Sequence, residues 1–142
     1  MGSFSITLDL PHEPPVLFRY LADPRNRPEW QSSLRAVDEV DDGEPHAGMH
    51  WRDVTKVGVK PQMQLTEVTP FRTLAEVGTW RGVDAVLTLR FVKVASGTRL
   101  TAEGRVIGRG PFALAAAVAG RLAPGAVEAD LRRASDALTG KP

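Results

Sequence analysis

No cysteine occurs in the 142 residues, so disulfides, thiol nucleophiles and cysteine-ligated metals are all excluded. Histidine is scarce too. His12, His46 and His50 fall in a loop before a helix, in a turn, and at a strand position predicted to face outward. Neither a histidine-based catalytic triad nor a clustered metal site can be built from that spacing, so no metal or cofactor is expected. Aromatic residues make up 6% of the chain, and 18 Lys and Arg against 17 Asp and Glu leave a net charge of +1. The nearest approach to a basic stripe is "FRYLADPRNR" (Phe18–Arg27), whose arginines alternate with apolar residues and prolines and read as a solvated helix edge. A nucleic-acid partner is therefore not expected. No uncharged apolar run exceeds "GPFALAAAVAG" (Gly110–Gly120), which is too short to cross a bilayer. The opening "MGSFSITLDL" lacks a basic segment followed by a long apolar one. A cytoplasmic location is the expectation.

What is present is regular periodicity over a length that fits one domain, residues 1–142. Phe4, Ile6, Leu8 and Leu10 alternate with polar residues, as in a strand with one buried face. Pro14 and Pro15 suit the first turn of a helix, and Val16, Leu17, Tyr20 and Leu21 give it helical spacing until Asp23-Pro24 stops it. A second short helix begins near Pro28. Six further strands are predicted over Arg35–Asp42, Met49–Val57, Gln62–Val68, Thr73–Trp80, Val83–Val94 and Thr98–Gly108, separated by Gly or Pro. Such short separations imply antiparallel hairpins. The last quarter is helical. Phe112, Ala115, Ala119 and Leu122 step by three or four, and after a slip of five Val127, Leu131, Ala134 and Leu138 do the same. The slip falls on Pro124-Gly125, where a kink or break is expected. The half before it is apolar all round, which predicts enclosure.

These elements define an α+β chain with one antiparallel sheet and helices on one side. Their order, and the wording of four segments, resemble the START-like (SRPBCC) superfamily, whose helix-grip fold is that of the birch-pollen allergen. "VLFRYLADPRNRPEW" resembles the family's first helix and the segment that follows it. "VTPFRTLAEV" is similar to its proline-to-strand junction, and "SGTRLTAEGRV" to the start of its last strand. "AGRLAPGAVEADLRRASDAL" resembles the long helix of the bacterial polyketide cyclase/dehydrase and lipid transport family. The resemblance implies a curved seven-stranded antiparallel sheet wrapped around a long C-terminal helix, two short helices after the first strand, and a cavity between sheet and helix.

Strand parity predicts what faces that cavity. Val83, Ala85, Leu87, Leu89 and Phe91 share an apolar face. Lys93 then either reaches the rim or follows a bulge that switches faces. In the last strand Ala102 and Gly104 are small inward residues, which mark either close packing or free volume. Trp51 shares a face with Met49 and Asp53, and Met63 and Leu65 share one with Glu67. Asp53 and Glu67 are either polar anchors inside the hollow or rim residues in water, and ordinary carboxylate hydration favours the rim. Trp80 has no settled side, since a bulge at Gly78 would reverse it. Phe112 opens the helical face, and Trp30 either packs the second helix into the end of the sheet or forms part of the cavity's mouth. Trp30, Trp51, Asp53, Met63, Leu65, Glu67, Trp80, Leu87, Leu89, Phe91, Ala102 and Phe112 are thus the candidate ligand-binding residues.

Two functions remain open at this level. One is binding of a hydrophobic small molecule, a lipid or polyketide-like compound, in the sheet–helix cavity by a monomer or homodimer. The other is a polyketide cyclase or dehydratase using the same cavity. Asp53, Glu67, Glu76 and Arg90 are the strand residues available for such chemistry, and no catalytic residue is assigned. Polar groups converging deep in the cavity would favour the enzyme; polar groups confined to its mouth would favour the binder.

Overall fold

The alternating segment at the N-terminus forms strand β1, Gly2–Leu10, with Leu8 and Leu10 buried and Ser3, Ser5, Thr7 and Asp9 exposed. The structure is a computed structural model describing residues 2–140, apart from the side chains at 2, 114, 115, 117, 118 and 120–122. Helix α1, Pro14–Ala22, starts on its prolines and buries Leu17, Phe18, Tyr20 and Leu21. Asp23 accepts a hydrogen bond from the Arg25 amide and so caps a single 3₁₀ turn, Pro24–Asn26. That turn leads directly into α2, Arg27–Trp30.

The strands that follow are β2 (Leu34–Asp38), β3 (His50–Thr55), β4 (Gln62–Thr69), β5 (Thr73–Trp80), β6 (Val83–Val94) and β7 (Gly97–Gly108). With β1 they form one curved, wholly antiparallel sheet in the order β1-β7-β6-β5-β4-β3-β2. Every neighbouring pair except β1–β7 joins strands consecutive in sequence, as the short connections predict. Register is continuous along β6 as far as Val94, so no bulge follows Phe91. Lys93 reaches the rim and donates to Glu13 at 2.7 Å.

Helix α3, Ala113–Thr139, lies against β1 and β7 and touches α1 and α2. It continues through Pro124 without the break that the local sequence predicts. Packing against the sheet holds a helix that proline alone disfavours. Leu131 and Ala134 are buried, with Val127 and Leu138 partly so, on the expected stripe. The expected enclosure of Gly110–Gly120 does not hold for its described side chains. Ala116 is buried, but Pro111, Ala113 and Ala119 are exposed, because the sheet covers one face of the helix only. The side chains of Ala115 and Leu122 lie outside the described residues. The end of α2 is fastened to α3: Ser32 donates to Asp130 through its amide and hydroxyl, and Arg133 donates to the Trp30 carbonyl at 3.1 Å.

Candidate ligand-binding site

Inward-facing residues form rows across the sheet, and one row explains where space is left. Trp51, Met63, Gly78, Ala85 and Val106 are successive register partners from β3 to β7. Gly78 and Ala85 lie side by side in it and are small; the flexible Met63 thioether covers Gly78, with its sulfur 2.7 Å from where a Cβ would stand, and the wall recedes beside it. A cavity of about 320 Å³ opens over them, lined by Met63, Leu87, Val106 and, from α3, Ala123 and Val127. A second hollow of about 290 Å³ shares Pro61, Gly78 and Ala85 and is also lined by Trp80, Ala116 and Ala119. The small residues of β7 serve differently. Ala102 is fully buried, and a Cβ at Gly104 would stand 2.6 Å from the Phe4 ring. Those two positions are therefore close packing, and the free volume lies further across the sheet.

The next row places a charge beside this space. Leu65, Glu76, Leu87, Gly104 and Phe4 are register partners, and Glu76 is 7% exposed. Its partner is Arg27, from the first turn of α2, which is 3% exposed and donates to the Glu76 carboxylate. Arg27 also donates to Gln31 Oε1 at 3.0 Å, and its guanidinium lies 4.9 Å from the Trp51 ring centroid and 5.5 Å from that of Trp30. Asp53, on the inward face of β3, is 3% exposed and accepts a hydrogen bond from Trp51 Nε1 at 2.9 Å. Burial holds the Asp53 carboxyl above the usual aspartate range. The Arg27 charge opposes that rise, Glu76 adds to it, and the Trp51 indole opposes it. Asp53, Glu76 and Gln31 all border the 320 Å³ cavity, which is otherwise largely apolar.

The candidates drawn from parity separate into groups. Asp53, Met63 and Leu87 stand on the cavity wall. Trp30, Trp51, Leu65, Leu89, Phe91 and Ala102 are buried in the surrounding core. Trp80 lies inward on the face of Leu74, Glu76 and Gly78, and the Arg81 guanidinium covers its ring at 4.8 Å. No register shift occurs at Gly78; the irregularity is on the neighbouring strand, between Leu65 and Glu67. That bulge turns Glu67 out to solvent, where it accepts from Thr69 Oγ1 at 2.9 Å, and brings Val68 toward the core. Asp53 and Glu67 are thus not a pair: one is buried and the other exposed. Phe112 packs its ring against Gly82, at the turn between β5 and β6.

Arg27 is the site residue that sequence reasoning missed. Its segment reads as a solvated edge, which holds for the exposed Arg19 and Arg25 and fails for the buried Arg27. The available signal is its place in the first turn of "RPEW", one helical turn before Trp30, together with Glu76 on an otherwise apolar strand face. Among the described residues no group of three or more His, Asp or Glu could hold a metal ion.

A curved antiparallel sheet gripping a C-terminal helix, with an apolar hollow between them, defines the helix-grip class. Within it the chain belongs to the polyketide cyclase/dehydrase and lipid transport family, whose model matches residues 1–141. Solved structures with the same fold include protein MLL2253 from Mesorhizobium loti, 21% identical over 92% of this chain and 95% of that one, with TM-score 0.69. The di-domain ARO/CYC StfQ from the steffimycin biosynthetic pathway is 14% identical over 95% of this chain and 49% of its own, with TM-score 0.76. Ara h 8.0201 is 9% identical over 98% of both chains, also with TM-score 0.76. At these identities the likeness is one of fold. Among curated proteins none matches the sequence.

Proposed function

We propose that this protein binds a hydrophobic small molecule, a lipid or polyketide-like compound, in the cavity between the sheet and α3. The observation that carries the reading is the 320 Å³ hollow over Gly78 and Ala85, with an apolar wall and a few polar groups at one end. Its size is at the lower end of small-molecule sites, which suits one or two fused rings or a short acyl chain. Apolar contact supplies the affinity, and Asp53, Glu76 and Gln31 orient the polar end. Family membership supports the same reading. Native mass spectrometry of the purified protein, with a thermal-shift screen of fatty acids and aromatic polyketides, tests it. A bound mass or a shifted unfolding midpoint is expected. An empty protein that no compound stabilises would sink the proposal.

A second reading is favoured by one observation, the buried position of Asp53 beside the Arg27–Glu76 pair. A carboxyl held toward its protonated form against an apolar hollow is suited to general acid–base work on a cyclising or dehydrating polyketide chain. On this reading Asp53 exchanges a proton with the substrate while the Arg27–Glu76 pair fixes the electrostatic surroundings. Turnover of a model poly-β-ketone that is lost in Asp53→Asn, with binding retained, would distinguish it from a carrier.

A further inference from the structure

We infer that the cavity selects a neutral ligand whose polar end is a hydroxyl, and rejects the same hydrophobic body carrying a carboxylate. This rests on the binding reading above and names the ligand chemistry of that site.

The polar groups come from each element packed around the hollow. From β3 comes Asp53 and from β5 comes Glu76, both carboxyls and both buried. From the segment after α2 come Gln31 and Ser33, and from β3 Thr55, all uncharged. Among the described residues the one buried cation is Arg27, and it does not stand on the wall. It is committed to Glu76 and Gln31 and enclosed by the Trp30 and Trp51 rings. Arg105 borders the hollow from the outer-facing set of β7 and is exposed, so its charge is screened by water.

A carboxylate entering this end would shed its hydration and find carboxyl oxygens and, among the described residues, no unengaged buried cation. A hydroxyl both donates and accepts, which suits carboxyl oxygens in either protonation state. The raised proton affinity of Asp53 points the same way: the site keeps its own charge low instead of presenting a counter-charge. For the same reason a buried ammonium is not the favoured ligand, since Glu76 is already neutralised by Arg27.

The experiment compares naphthol with naphthoate, which share a ring system and differ in the polar group, by calorimetric titration near neutral pH. Naphthol is expected to bind about tenfold tighter or more, the margin that one unfavourable buried charge readily produces. In Asp53→Asn, nearly isosteric and able to accept from Trp51, the ratio is expected to narrow as naphthoate gains. Naphthoate binding as tightly as naphthol would overturn the inference while leaving a hydrophobic-ligand site standing. An unchanged ratio in Asp53→Asn would overturn the role given to that carboxyl. Binding of neither compound, together with an empty native mass spectrum, would remove the binding reading and this inference with it.

Discussion

Arg27 and Glu76, 49 residues apart in sequence, form a buried ion pair that joins the short helix α2 to the middle of the sheet. The pair closes one side of the cavity's polar end, and two tryptophan rings enclose its guanidinium.

Removing one partner leaves the other charged, buried and unpaired. Arg27→Ala and Glu76→Ala are each expected to destabilise the fold by about 3 to 5 kcal/mol. The double variant is expected to cost less than the sum of the two, because it leaves no orphaned charge. Urea unfolding of the four proteins measures this; strict additivity would refute the coupling.

Asp53 makes stability depend on pH in a direction opposite to a salt-bridged carboxylate. Its folded-state proton affinity is raised, chiefly by burial. Its contribution is therefore fully present below the unfolded aspartate pKa of about 3.9. It is lost as pH rises through the higher folded value. Asp53→Asn is expected to raise the unfolding midpoint at neutral pH, with the gain shrinking as the solution is acidified. Thermal unfolding across a pH series checks it.

The two buried tryptophans are expected to respond differently to loss of the indole N–H. Trp51 Nε1 donates to Asp53, whereas Trp30 Nε1 has no hydrogen-bond partner among the described residues. Trp51→Phe is expected to cost about 1 to 3 kcal/mol, because it leaves a buried Asp53 oxygen without its donor. Trp30→Phe is expected to cost less than Trp51→Phe. It deletes a polar atom whose burial already costs free energy. Denaturant midpoints of the two variants decide the ranking.

Ala85 lies in the hollow's floor between Gly78 and Val106. Ala85→Phe is expected to fill the space and abolish uptake of any cavity ligand. Because the ring enters a void, the cost to folding should not exceed the roughly 1 to 3 kcal/mol of overpacking a filled core. Ligand thermal shifts on the variant, compared with its own unfolding midpoint, separate lost binding from lost structure.

The strands were legible in the sequence because a half-buried strand writes its burial as alternation, and Gly or Pro marks each turn. The inward set Val83, Leu87, Leu89 and Phe91 could be read from such a pattern, as could the Val127–Leu138 stripe of α3. Glu67 could not be placed, because a register shift between Leu65 and Glu67 reverses parity without changing composition. Trp80 has no side that composition alone settles for the related reason that a glycine such as Gly78 permits a bulge, and only the register shows that the irregularity sits on β4. Pro124 predicted a break that contacts to β1 and β7 override.

The sequence by itself determined the element order, the antiparallel sheet and the apolar character of its inner face, since each depends on neighbours a few residues apart. It also excluded thiol chemistry. Only the tertiary structure decided that Arg27 is buried on Glu76, that Asp53 rather than Glu67 faces the hollow, and that the free volume lies over Gly78 and Ala85. These relationships link residues distant in the chain. A charge's burial is set by which distant partner meets it, and a cavity by which small residues stand adjacent across strands. Neither quantity has a local periodicity from which it can be read.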